Sequence, residues 1–170
     1  MVVLTEFVRL WTIETYKQGE EERQLEQFCE AVEQGDIAGM EDFLNNFLYK
    51  TLSIKDYSGN KTQKESLYHG ILLGLLKPKS KRWTCISNME TGKGYADIVL
   101  KRFRERAGVV IELKYAKSDN LEYYCQEAMQ QINSRDYIEY FRDRGCNYIV
   151  KYAIAFFKKT CKVLKEKENL

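Results

Sequence analysis

Proline and histidine are almost missing from this chain: Pro78 and His69 are the single examples in 170 residues. With one proline and 12 tyrosines, the sequence predicts much regular structure and few rigid loops. The five cysteines, Cys29, Cys85, Cys125, Cys146 and Cys161, are odd in number, widely spaced and never arranged as C-x-x-C. That pattern argues against a disulfide framework and against a zinc site, and it suits a reducing compartment. No apolar run approaches the length of a membrane span, so no membrane association is expected. Met1, Val2, Val3 and Leu4 are soon followed by Glu6 and Arg9, which is not a secretory apolar segment, and a cytoplasmic location is expected. No Walker motif occurs, which excludes an ATPase within these residues. Nothing resembles a base-reading helix or an RNA-stacking motif.

What remains is ordinary for a folded protein. Hydrophobic residues make up 44%, aromatics 13%, and the formal charge is only +2, enough for one domain with a real core. So small a net charge neither requires nor forbids a nucleic-acid partner, because local patches decide that. Residues 1–52 read as helical, with Leu25, Phe28, Cys29 and Val32 at helical spacing, and Met40, Phe43, Leu44, Phe47 and Leu48 forming a second stripe after Gly35-Asp36. Residues 53–62 read as a loop with turn chemistry at Ser58-Gly59-Asn60, and 63–76 as a helix that Pro78 ends. Strand-like runs follow near 83–89, 95–102 and 107–114. Ser118, Asp119 and Asn120 offer caps for a helix over 120–133, and a short helix is expected over 135–143. Residues 147–157 read as a strand, with a last short strand near 160–165 before a frayed charged tail. A helical lead-in over 1–53 and an α/β core over 54–170 are the expected divisions.

The chemistry concentrates in residues 92–100, GKGYADIVL, and 109–114, VVIELK. Side chains alternate faces along a strand, so Glu112 and Lys114 point the same way while Leu113 points into the core. Two apolar strands joined by a short polar loop pair as a hairpin, which brings Asp97 close to Glu112. Two acids and a lysine on one sheet face make a hard-metal site with a proton-handling neighbour. The bland alternative is a strand-edge salt bridge.

The pattern of Asp97, a gap, then Glu112-Leu113-Lys114 resembles the PD-(D/E)XK nuclease superfamily, the restriction-endonuclease-like fold. Residues 64–76 (KESLYHGILLGLL), 87–94 (SNMETGKG), 128–132 (AMQQI) and Tyr137 resemble one branch of it, the nuclease-like domain usually found C-terminal to an AAA-type ATPase-like domain in prokaryotic proteins. The resemblance covers roughly residues 36–158. It implies an α/β core, a mixed β-sheet flanked by helices, behind a helical N-terminal segment. It also implies a Mg²⁺-dependent nuclease acting on DNA, with Mn²⁺ as a substitute. Asp97, Glu112 and the carbonyl of Leu113 would then hold the ion, Glu65 would join them through a water or a second ion, and Lys114 would orient the attacking water. Gln131, and Tyr137 with it, would position Lys114 or the phosphate. The branch usually carries a basic residue where this chain has Tyr95. The alternative is a catalytically inactive module of the same fold that binds nucleic acid or a protein partner. A third option is that the helical lead-in is an interaction surface for an ATPase-like partner or for another copy of the chain in a homodimer.

Other features have plainer readings. His69, four residues after Glu65 on nearly the same helix face, reads as a packing residue. Gly92 and Gly94 read as turn and close-approach residues, since they precede a strand rather than a helix. The basic tracts over 77–82 and 101–106 read as solvated loops that could also touch a phosphate backbone. Trp11 and Trp83 read as packing residues, and Gln130 as a surface residue.

Overall fold

Helix α1 (Glu20–Gln34) buries Leu25, Phe28, Cys29 and Val32, the stripe expected from their spacing, and stops at Gly35, whose φ of +75° is left-handed. Lys165 Nζ donates to the Gly35 carbonyl at 2.6 Å, so the turn is tied to the far end of the chain. Asp36 then caps helix α2 (Ile37–Thr51) by accepting from the Gly39 N–H at 3.1 Å. The computed structural model describes residues 19–53, 60–79, 81–91, 94–102 and 104–170. The expected helix before residue 19, Trp11, most of the 53–62 loop and Gly92-Lys93 lie outside them.

Helix α3 (Lys61–Leu76) begins two residues earlier than its apolar pattern suggested. Asn60, read as part of a turn, is a cap: its side chain accepts from Gln63 N–H while the Gln63 side chain accepts from Asn60 N–H. Ten of its residues between Ser66 and Leu76 are buried on all sides, which explains why its sequence is apolar with little one-sided stripe. The helix ends just before Lys77-Pro78, as expected.

Five strands form one mixed sheet in the order β1 (Trp83–Thr91), β2 (Gly94–Arg102), β3 (Ala107–Tyr115), β4 (Tyr148–Phe157) and β5 (Thr160–Asn169). Pairing is antiparallel for β1–β2, β2–β3 and β4–β5, and parallel for β3–β4. The parallel step needs a crossover, which helices α4 (Leu121–Ser134) and α5 (Ile138–Arg142) supply. Strands β3 and β4 are covered on both faces, hence their nearly unbroken apolar runs. Helices α1, α2 and α3 pack on one face with Ile98, Ile111 and Leu113; α4 and α5 pack on the other with Val99 and Val110. The result is a three-layer α/β arrangement.

Three expectations change. The final strand does not stop near 165: β5 runs through the charged residues to Asn169, paired along its length with β4. The charges are spent in contacts, with Lys151 donating to Glu168 and to Asn133 Oδ1, and Lys167 lying 3.9 Å from the centre of the Tyr148 ring. Asn120 occupies the cap position of α4 but makes no side-chain cap hydrogen bond. Helix α5 is also shorter than expected, five residues, because Arg135 is already extended.

The lead-in helices are part of one core with the sheet. Tyr152 on β4 donates to the Val32 carbonyl at 2.7 Å. On β5, the Cys161 and Val163 N–H groups donate to Asn45 and Glu41 of α2 at 2.8 and 2.7 Å, which satisfies an edge strand with helix side chains. The apolar stripes of α1 and α2 are buried within the chain, apart from Phe43, which is partly buried. Three cations of the basic tracts, Lys79, Arg82 and Arg102, fasten α1. Arg82 pairs with Glu26 at 2.7 Å and also with Glu30 and Glu33, Lys79 pairs with Glu26, and buried Arg102 donates to the Glu33 carbonyl. Trp83 is buried and donates to the Leu76 carbonyl at 2.8 Å. All five cysteines are free thiols. No helix among the described residues is long and apolar enough to cross a membrane.

Candidate active site

Strands β2 and β3 run antiparallel, and the ladder ends with Ile98 opposite Ile111, which leaves Asp97 and Glu112 next to one another just beyond it. The Asp97 side chain reaches across: its Oδ2 accepts from the Leu113 N–H at 2.8 Å. Its Oδ1 accepts no hydrogen bond among the described residues. Strand β1 withdraws at this level. Asn88, with φ +50°, leaves the ladder between Ser87 and Met89, and the Asp97 carbonyl takes a hydrogen bond from His69 Nε2 at 3.0 Å instead. A carbonyl only accepts, so Nε2 carries the proton, and burial lowers the ring's pKa and keeps it neutral. Ser87 Oγ lies 3.2 Å from the same nitrogen. His69 is thus the packing residue expected, although it packs directly on the site.

Glu112 is 2% exposed and both of its oxygens are engaged. Gln131 on α4 donates to Oε1, and Arg135, just past the end of α4, donates to Oε2 at 2.9 Å. Gln131 also accepts from Lys114, whose Nζ stands 3.9 Å from Glu112 Oε1. One amide therefore bridges the lysine and the acid. Glu65 comes from α3 on the opposite face; its Oε1 accepts from the Tyr115 N–H at 3.4 Å and pairs with Lys61 at 3.6 Å. Tyr137 is buried with its hydroxyl 3.5 Å from Arg135 Nη1, and burial pushes its pKa up to about 12; among the described residues it meets Arg135 rather than Lys114. Glu65, His69, Asp97, Glu112, Leu113, Lys114 and Gln131 all line one cavity of about 270 Å³. Clefts of about 520 and 590 Å³ lie elsewhere, between α1 and α2 and under the Arg82 network, without such a grouping.

The electrostatics favour an ion. Burial first, then repulsion from Asp97, pushes the Glu112 carboxyl up to about 7, with Arg135 and Lys114 partly offsetting both. Burial likewise raises Asp97, against the opposing pull of the Leu113 N–H, His69, Lys114 and Arg135. Two neighbouring acids that line one cavity, one of them with an oxygen that accepts no hydrogen bond among the described residues, make a donor set suited to a divalent cation. Among the described residues no three His, Cys, Asp or Glu side chains form a ready metal group. Two carboxylates and a backbone carbonyl suit an ion such as Mg²⁺, which takes few protein ligands and keeps several waters.

Sequence reasoning missed Arg135. It stands four residues after Gln131, one helical turn on, and that spacing beside a site residue was the available signal. Its guanidinium also donates to the Tyr95 carbonyl, so a cation stands beside Tyr95. Gly94, at φ +136°, makes room: a Cβ there would come 3.2 Å from Arg135 Nε.

A solved structure described as "Crystal structure of SSO0001" is similar over 100% of this chain and 79% of its own, at 16% identity and a TM-score of 0.39, and no argument rests on it. No curated protein matches the chain. The family model of the PD-(D/E)XK nuclease superfamily matches residues 63–166, from helix α3 through all five strands, and the chain belongs to that superfamily.

Proposed function

We propose that the chain is a Mg²⁺-dependent nuclease that hydrolyses phosphodiester bonds in DNA. The observation that carries this reading is the convergence of Asp97, Glu112 and Lys114 on one cavity, with Gln131 joining the lysine to the second acid. Asp97 through its Oδ1, Glu112 and the Leu113 carbonyl would hold the ion, and Glu65 would reach it through water. When bound, such an ion neutralises phosphate charge and makes a coordinated water more acidic.

The chain's own groups do the rest. Lys114 Nζ, held at the cavity by Gln131, orients a water by hydrogen bonding and offers positive charge where it develops on the phosphate. Gln131 fixes the lysine's direction, since its amide is anchored at the other end by Glu112. The Leu113 N–H fixes Asp97 through one carboxylate oxygen and leaves the other without a hydrogen bond among the described residues. His69 holds the Asp97 backbone where β1 has let go.

The test is cleavage of plasmid, single-stranded DNA and RNA with Mg²⁺ or Mn²⁺, by wild type, Asp97→Ala and Lys114→Ala. Metal-dependent cleavage of DNA that falls at least about a hundredfold in both variants is expected. Equal activity in all three overturns the site assignment. No cleavage by the wild type, with retained DNA binding in a gel-shift measurement, would mark a nuclease-fold binding module instead.

A further inference from the structure

Arg135 holds one of the two acids through which an ion would bind. Its Nη1 is 2.9 Å from Glu112 Oε2, and its side chain is only 15% exposed. The guanidinium is held by the Tyr95 carbonyl and lies 3.5 Å from the Tyr137 hydroxyl, two further oxygen groups. Gly94 leaves the space it fills. This is a built position rather than a loose surface pair. Glu112's other oxygen accepts from Gln131, so each oxygen already carries one hydrogen bond. Asp97, which lines the same cavity, has an Oδ1 that accepts no hydrogen bond among the described residues. The acid on β3 is thus the one that an internal cation neutralises.

We propose that Arg135 is a displaceable counter-cation: it pairs with Glu112 Oε2 and gives way there when a divalent cation binds. This rests on the two-carboxylate reading of the site. A guanidinium and a divalent ion compete for the same carboxylate, and the carboxylate's charge-assisted hydrogen bonds are strong enough to weigh against ion binding. Release of Glu112 leaves the guanidinium the contacts that Nη1 already makes with Tyr95 O and Tyr137 Oη. Arg135 is therefore a positioning residue that sets how much divalent ion the site needs.

The experiment uses the full chain and Mg²⁺ alone, without nucleic acid. Isothermal titration compares wild type with R135Q, and NMR follows the Arg135 side-chain Nε–H signal of the wild type during the same titration. R135Q is expected to bind Mg²⁺ roughly tenfold more tightly, the equivalent of one charge-assisted hydrogen bond removed from the competition. In the wild type the Arg135 signal should shift in step with ion binding. The NMR measurement needs no variant, so it stands if R135Q fails to fold. Mg²⁺ binding that leaves the Arg135 signal unmoved overturns this inference while leaving the metal site standing. Absence of Mg²⁺ binding in both proteins overturns the inference and the metal-site reading together.

Discussion

Replacing Glu112 by glutamine should change how stability depends on pH, and the size of the change follows from the site. In the fold Glu112 is buried beside Asp97, and its carboxyl is raised from 4.5 to about 7. At about 1.4 kcal/mol for each pH unit, ionising it in the folded state costs roughly 3 kcal/mol relative to the unfolded chain. Because the folded value is the higher one, this stability is present below pH 4.5 and is lost as pH rises through about 7. His69 works the other way: its pKa is lowered from 6.5 in the fold, so its contribution is lost as pH falls. Comparison with E112Q cancels the His69 contribution, since the variant keeps that ring. Urea unfolding in chelator should therefore show the wild type losing roughly 3 kcal/mol against E112Q between about pH 4.5 and pH 8. Saturating Mg²⁺ at about pH 8 should restore the wild type and leave E112Q nearly unmoved. A gap between the two proteins that stays flat across this range refutes the burial-and-repulsion account of Glu112.

Gly108→Ala on β3 should cost about 2–3 kcal/mol, because the added Cβ would lie 2.3 Å from the buried Phe141 ring, and Phe141→Leu in the same chain should recover part of the loss in thermal unfolding. Asn60→Ala should cost about 1 kcal/mol through loss of the reciprocal cap of α3, read as faster amide exchange at its first turn. Tyr152→Phe removes the hydrogen bond to the Val32 carbonyl and should cost about 1–2 kcal/mol in urea unfolding, since that carbonyl is then left without its partner. Gly94→Ala forces a side chain into φ +136° against Arg135; the variant should unfold at lower temperature, and the Arg135 Nε–H signal should move even without an ion.

The motif residues could be placed from the sequence because strand geometry is local. Alternation puts Glu112 and Lys114 on one face, and the short polar connection between two apolar runs makes a hairpin, so Asp97 facing Glu112 needs no knowledge of the rest of the chain. Helix α3 was visible as a helix, but its first residues were not, because the Asn60 cap is signalled by one polar pair rather than by periodicity. The far end of β5 was invisible for a related reason. A run such as Lys165-Glu166-Lys167-Glu168 carries no apolar alternation, and it is a strand because β4 and α4 supply partners for its charges.

By itself, the sequence determined the α/β class, the order of the main helices and strands and the acid–acid–lysine hairpin, since each depends on spacings of a few residues. The tertiary structure decided what those spacings could not hold. It brought Glu65 and Gln131 from opposite faces of the sheet to one cavity, folded the lead-in helices into the same core, and set Arg135 against Glu112. The physical reason is distance along the chain. Contacts between residues far apart depend on how layers pack, and charges buried by that packing acquire an energetic weight that the same residues lack in an unfolded chain.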